Sequence, residues 1–288
     1  MRVSSKVKVF NVFRGVFKIP FLERALVSLT IGKPPDHLFC KFVPNPYQYS
    51  PGTYREIDRN DIRLRVDISD YIGHYLYFGF LDTGIGNLFS LCKKNFTVID
   101  IGTNIGWVAL NFARISQTGR VIGFEPDPFN YNECKKNIDR NALLNLTVLP
   151  YGLGETSAEV GMEVRTPDNR GGNRIAPKGG SSSVTVYIKQ LDDINEVSLL
   201  PAIHLMKLDV EGYELKVLRG AADTLQKHKP ILFIEIDDEN LRDQGDSAKD
   251  LISFLELNGY GSISHAETNV KVTSSTNFSH CHFDIVAR

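Results

Sequence analysis

The run Val98-Ile99-Asp100-Ile101-Gly102-Thr103-Asn104-Ile105-Gly106 constrains the fold more than any other stretch. Apolar residues end in an aspartate, turn between two glycines, and lead into Trp107-Val108-Ala109-Leu110-Asn111-Phe112-Ala113, which has amphipathic helical spacing. Strand, tight loop and helix N-terminus in that order form the unit at which α/β sheets bind nucleotide-like ligands. A dinucleotide loop carries a middle glycine that lets the backbone approach a pyrophosphate. Here Asn104 stands between Gly102 and Gly106, so that approach is not provided for. Asp100 at the strand end suits a cation better than a phosphate. Glu125 closes a second apolar run, Val121-Ile122-Gly123-Phe124, 19 positions beyond Gly106. An acid at that spacing is placed to accept both hydroxyls of a ribose. A ribose and positive charge without phosphate describe S-adenosylmethionine, the expected cofactor. Asp100, Gly102, Thr103, Asn104, Gly106, Glu125 and Pro126 are its expected contacts. The competing reading of the same residues is a structural turn with an incidental Asp and Glu.

From residue 97 onward strands and helices alternate. Strands are expected at 97–101, 120–125, 146–150, 203–210 and 231–236, with helices at 107–116, 129–140, 213–226 (interrupted near Gly220) and 247–257. Two late strands, at 262–264 and 282–287, complete a mostly parallel seven-stranded sheet with helices on both faces, its final strand antiparallel. Residues 155–190 break the rhythm and read as a hairpin insertion. Within it the stretch 171–183, with two double glycines and Ser181-Ser182-Ser183, is too poor in apolar residues to order itself. It is expected to be a mobile loop near the mouth of the site. Upstream, residues 1–60 read as an arm and irregular connector, and 61–288 as the Rossmann-like domain. Residues 62–66 alternate as a short strand, and the aromatic-rich stretch 70–91 reads as helices on the acceptor side.

Composition excludes several classes. A net charge of −1, with no basic groove-forming run inside the domain, argues against a nucleic-acid partner. Cys40, Cys92, Cys134 and Cys281 are widely spaced, which reads as reduced thiols of a cytoplasmic protein. No apolar run reaches spanning length. Lys6, Lys8, Arg14, Lys18, Arg24 and Lys33 interleave with apolar residues, with Glu23 the single acid before Asp36. Such a stretch suits either a helical arm packed on its own domain, the reading favoured here, or contact with a membrane surface. Oligomeric state is not legible.

Together these segments resemble the FkbM family of S-adenosylmethionine-dependent methyltransferases. The resemblance is carried by 100–106, by Gly123-Phe124-Glu125-Pro126-Asp127-Pro128, by 137–145, by Lys207-Leu208-Asp209-Val210-Glu211-Gly212-Tyr213-Glu214, and by 218–221 and 230–235. The 207–214 run is the most diagnostic. Thr103 stands where the family usually has Ala, and the family's Tyr-Glu pair upstream of the first strand is here Tyr77-Phe78. The resemblance implies O-methylation of a hydroxyl on a small-molecule, sugar or glycan acceptor.

Attack by an alcohol requires loss of its proton, so a base is expected near the sheet's C-terminal edge. Asp209, Glu211, Glu214 and Glu235 converge there, with Asp209 the first choice for base and Glu211 the second. Either can instead cap the following helix or bind the cofactor's ammonium. Glu235 can orient Lys207 through a buried ion pair. A divalent cation on Asp209 and Glu235, as in catechol-type enzymes, is the lesser reading, and no metal is expected. Tyr151 and Gly152, in the turn after the third strand of the sheet, read as adenine contacts or as structure. Trp107, His204 and Met206 read as packing, and Asp237-Asp238-Glu239 as a solvated charge run. An NAD-dependent enzyme and a catalytically inactive binding module are the readings from other classes.

Overall fold

The computed structural model describes residues 5–288 apart from 167 and 178, with backbone alone for 5–10. The side chains of Lys6 and Lys8 therefore lie outside the described residues. The chain divides into two compact units, residues 1–83 with 166–171, and residues 84–165 with 172–288.

The smaller unit contains helices α1 (Ser5–Val16), α2 (Pro20–Thr30) and α3 (Tyr71–Phe78) and a hairpin of β1 (Tyr54–Arg59) and β2 (Ile62–Asp67). The hairpin's two-residue turn places Asn60 and Asp61 at φ 56° and 57°, the left-handed pair that matches strand twist. A boundary at residue 60 would cut the hairpin at this turn. Among its buried apolar side chains, which include Ile62, Leu64, Ile68 and Phe78, the unit holds a buried acid. Glu23, 1% exposed, accepts from Arg55 through both oxygens, at 2.6 and 3.3 Å, and from the Tyr77 hydroxyl at 3.1 Å. Asp70 caps α3 through the Ile72 and Gly73 amides and also accepts from the Arg170 N–H, while the Tyr71 N–H donates to Asp168 O. That is how residues 166–171 come to belong to this unit.

The larger unit opens with helix α4 (Thr83–Leu91), which begins at the division. Its sheet contains β3 (Thr97–Ile101), β4 (Arg120–Phe124), β5 (Leu146–Leu149), β10 (Leu205–Leu208), β11 (Ile231–Asp237), β12 (Ile263–His265) and β13 (His282–Ala287). The order is β12-β13-β11-β10-β3-β4-β5, parallel except for β13, which runs antiparallel to both neighbours. Connecting helices are α5 (Trp107–Ile115), α6 (Pro128–Asp139), α7 (Asn195–Ser198), α8 (Glu214–Arg219), α9 (Ala222–His228), α10 (Asp238–Asp243) and α11 (Ala248–Leu257). Gly220 ends α8 and Ala221 precedes α9, and a Cβ at Gly220 would sit 2.0 Å from Gly154 O. Ile99, Ile101, Met206, Leu208, Leu232, Ile234 and Ile236 enter one core cluster with Leu215, Leu218 and Leu251. The strand period of two sends Asp100, Lys207 and Glu235 to the opposite face.

The insertion carries more strand than the expected hairpin. A second sheet, β6-β9-β7-β8, is formed by β6 (Gly152–Leu153), β7 (Ala158–Glu163), β8 (Arg174–Ile175) and β9 (Val184–Lys189). β8 lies inside the stretch expected to be mobile. Arg174, 7% exposed, anchors it through Glu163 at 3.0 Å and Asp243 at 2.9 Å. These ion pairs add to a small apolar cluster of Met162, Ile175, Val186 and Ile188.

Candidate active site

Strand order reverses between β3 and β10, since the chain runs β3-β4-β5 outward on one side and returns at β10 on the other. In open α/β sheets ligands bind beyond the carboxyl ends of the strands at such a switch point. The loops there are Gly102–Gly106 after β3 and Asp209–Tyr213 after β10.

The first loop is pinned from three sides. The Gly102 and Thr103 amides both donate to Phe124 O at 3.1 Å. The Asn104 N–H donates to Glu125 Oε2 at 2.7 Å, and Asn137 Nδ2 reaches Ile105 O at 3.0 Å. Gly102, Asn104 and Gly106 have φ 82°, 51° and 95°. A Cβ on Gly102 would stand 1.9 Å from Asp209 O, and one on Gly106 2.8 Å from Cys134 Sγ. These glycines serve the loop's packing as well as its turn. Gly123 leaves room on the sheet face for Thr103, whose hydroxyl returns to Asp100 O at 3.1 Å.

Asp100 is fully buried, and neither carboxylate oxygen has a hydrogen-bond partner. The cation facing it belongs to the chain itself. Lys207 is its direct cross-strand neighbour, with Nζ 3.7 Å from Oδ1. The same ammonium donates to Gly102 O at 3.0 Å and lies 3.2 Å from Asp209 Oδ2. Burial raises the Asp100 carboxyl to about 6, opposed by Lys207. For Lys207 burial acts downward, but the charges of Asp209 and Asp100 outweigh it and hold the ammonium above its ordinary value. Lys207, read in the sequence only as a partner of Glu235, is thus the hub of the site, with ion pairs to Asp100 and Asp209.

Glu125 is 5% exposed at the tip of β4, with Oε1 accepting from the Asp127 N–H at 2.9 Å and Oε2 from Asn104. Burial raises it to about 7 against those two hydrogen bonds. Asp127 caps α6 and accepts from Asn173 at 2.7 Å. Pro126 lies against the Cβ position of Gly152. Tyr151 packs on the core cluster beside Phe124, with Lys189 Nζ 4.4 Å above its ring, and Gly152 pairs with Ile188 in β6. Both contribute visibly to packing.

Three of the four acids at the strand ends meet, with one oxygen each from Asp209, Glu211 and Glu235 within 4.8 Å of one another. That spacing lets one cation touch all three. Glu211 has φ 54°, accepts from Asn240 Nδ2 at 2.9 Å, and has Arg165 3.9 Å away. Burial first, then Asp209, raises it to about 7. Burial, Asp209 and Glu211 together push Glu235 well above the usual carboxylate range, and His282 Nε2 lies 3.6 Å from it. Glu214 turns inward instead. Its Oε1 accepts from the Val210 and Gly212 amides, both at 3.1 Å, and staples the loop.

Asn240 and His282 carry no motif of their own and become visible only once β11, α10 and β13 are assembled. Asp237 and Asp238 are structural, not a solvated run. Asp237 caps α10, and Asp238, 5% exposed, accepts from the Ala248 N–H at 2.8 Å. Met206 is core, and His204 Nδ1 accepts from the Thr97 N–H at 3.0 Å while the ring stacks on Phe96.

A sheet of this order, with its antiparallel strand second from one edge and a glycine-bounded acidic loop at the switch point, is the Rossmann-like methyltransferase fold. The methyltransferase FkbM domain family matches residues 100–261, and the chain belongs to that family. Hexuronic acid methyltransferase AglP of Haloferax volcanii is 32% identical over 127 residues, 44% of this chain and 50% of the relative. 2-O-methyltransferase NoeI of Sinorhizobium fredii is 24% identical over 164 residues, 52% of this chain and 66% of the relative. The chain thus spans half to two thirds of these relatives' lengths. Among solved structures, methyltransferase FkbM from Methylobacillus flagellatus KT aligns with a TM-score of 0.46 and 18% identity, covering 76% of this chain and 55% of that one. M. jannaschii TYW2 in complex with AdoMet aligns at 0.43 and 14%, covering 83% and 87%.

Proposed function

We propose that the chain is an S-adenosylmethionine-dependent methyltransferase acting on a hydroxyl of a sugar, glycan or secondary-metabolite acceptor. The observation that carries this reading is the Lys207 bridge, which ties the loop after β3 to the half-exposed Asp209 at the switch point. The donor set suits the cofactor. Glu125 uses one hydrogen bond on each oxygen and keeps lone pairs for two ribose hydroxyls. The cofactor supplies a methyl group on a sulfonium leaving group. What the protein contributes is orientation and a proton acceptor. Two relatives named as a hexuronic acid methyltransferase and a 2-O-methyltransferase support an oxygen-rich acceptor.

Between the two candidate bases, the arrangement favours Glu211. Asp209 is engaged by Lys207, whereas Glu211, at about 7, is matched to proton transfer near neutrality. Its left-handed backbone is a strained position of the kind found at reacting centres. Asp209 then orients, and Asn240 fixes the Glu211 carboxylate.

Calorimetry tests the cofactor first: binding of S-adenosylmethionine should be low micromolar, about −8 kcal/mol. Glu125→Ala should weaken it by about 1–3 kcal/mol through lost hydrogen bonds to a charged acceptor. No binding, or unchanged affinity in that variant, removes the assignment. Once extracts fractionated into glycans, lipids and metabolites yield an acceptor, Glu211→Gln should cost about 10²-fold in turnover with cofactor affinity kept. A larger loss in Asp209→Asn than in Glu211→Gln would return the base to Asp209.

A further inference from the structure

We propose that the corner between α1 and α2 docks the protein on an anionic lipid bilayer. The inference does not rest on the reading of the active site. Val12, Phe13, Val16, Ile19 and Phe21 are 74%, 62%, 50%, 52% and 68% exposed. They fall within ten residues that end one helix, turn, and begin the next. Among the described residues, nine of eighteen exposed large hydrophobic side chains lie between positions 12 and 39. Singly exposed apolar residues need no explanation, but a concentration of this kind marks an interaction surface.

Charge selects the occupant. Residues 1–35 contain seven Lys and Arg and the single acid Glu23. Glu23 is buried and bound to Arg55 and Tyr77, so no acidic side chain of this stretch faces outward. Arg24 is exposed on α2 near the apolar corner, and Lys33 is exposed just beyond the far end of that helix. The chain's net charge of −1 hides this local excess. A second copy in a two-fold interface would bring the same basic stretch against itself, which like charges oppose. A nucleic acid would engage the basic groups and leave the aliphatic Val12, Val16 and Ile19 in water. An anionic bilayer surface takes both at once. The apolar corner enters the headgroup boundary, and the basic residues meet the negative leaflet. No helix among the described residues is long and apolar enough to cross a membrane, so the contact lies on the surface.

The test is flotation of the whole chain with vesicles of phosphatidylcholine, with and without about 30 mol% phosphatidylserine. The expected result is about tenfold or more protein on the anionic vesicles at low salt, falling steeply at about 0.5 M salt. Phe13→Ser/Phe21→Ser should abolish flotation with the circular dichroism spectrum unchanged, both side chains being exposed. Arg24→Glu/Lys33→Glu should erase the preference for anionic vesicles. Absence of flotation, equal flotation with both vesicles, or retention in the Phe13→Ser/Phe21→Ser protein would overturn the proposal. A concentration-dependent dimer in size exclusion that the same double variant disperses, without flotation, would assign the corner to a second copy instead.

Discussion

Replacing Lys207 by methionine removes the cation between Asp100 and Asp209 while keeping most of the stem's volume. Its effect separates into two parts. One is independent of pH: the hydrogen bond to Gly102 O is lost, at about 1–3 kcal/mol. The other follows Asp100, which is fully buried and ionises at about 6 with Lys207 in place. An unfolded aspartate ionises near 3.9, so burying the ionised form already costs about 3 kcal/mol. Without the ammonium, the folded carboxyl must stay protonated or be buried as an unpaired charge. Protonation caps that cost at about 1.4 kcal/mol per pH unit above about 3.9. At pH 5 wild type and variant both carry the proton, and the Asp100 part of the difference is near zero. At pH 7 it reaches about 1 kcal/mol, and at pH 8 about 3 kcal/mol. The sign follows from proton binding. The variant's folded state keeps a proton that its unfolded state has released, so its stability goes on falling above pH 6 where the wild-type contribution has levelled. Denaturant titrations between pH 5 and 8, followed by the single tryptophan, Trp107 at the start of α5, measure this directly. Asp100→Asn/Lys207→Met should abolish the pH-dependent part and leave the constant one. A stability difference equal at pH 5 and pH 8 would refute the pairing.

Gly102→Ala should destabilise by several kcal/mol, about 3 or more, because φ 82° and a contact 1.9 Å from Asp209 O must both be relieved; a thermal midpoint within a degree or so of wild type would contradict it. Glu214→Ala should cost about 2–3 kcal/mol by leaving the buried Gly212 amide and the Val210 amide without their acceptor. Denaturant unfolding checks it, and Glu214→Gln, which keeps an acceptor oxygen, should recover most of the loss.

The sheet was legible because its signals are local. The strands at Thr97–Ile101 and His282–Ala287 coincide with their apolar runs, and Ser247 and Asp127 occupy the helix caps their side chains suit. β1 was not legible, since Tyr54-Arg55-Glu56-Ile57-Asp58-Arg59 has a single buried residue, Ile57, and takes its strand form from β2. The short strand Arg174–Ile175 escaped for a related reason. Arg174 is held by Glu163 and Asp243, eleven and 69 positions away, and composition does not report such pairs. Asp238 escaped likewise, because its partner Ala248 N–H belongs to the next helix. In the site, the convergence of Asp209, Glu211 and Glu235 follows from neighbouring strand ends, which sequence order supplies. That Glu214 turns away from them depends on the conformation of the Val210–Gly212 loop, which no side-chain pattern encodes.

That conformation explains how three carboxylates that repel one another stay together. Backbone, not charge, sets their positions. Gly102 admits Asp209 O where a Cβ would be, and Lys207 closes the same contact from below through Gly102 O. Gly212, at φ 98°, admits Asn240 O at 2.3 Å from its missing Cβ, which brings the Asn240 amide within reach of Glu211. Glu214 locks the turn between them through two amides. The loop after β3 and the loop after β10 are therefore packed directly on one another and joined through Lys207. Burial first, and repulsion within the cluster second, raise the proton affinity of Glu211 and Glu235. A carboxyl held at about 7 by its burial and its acidic neighbours is matched to the base role proposed for Glu211 at neutral pH.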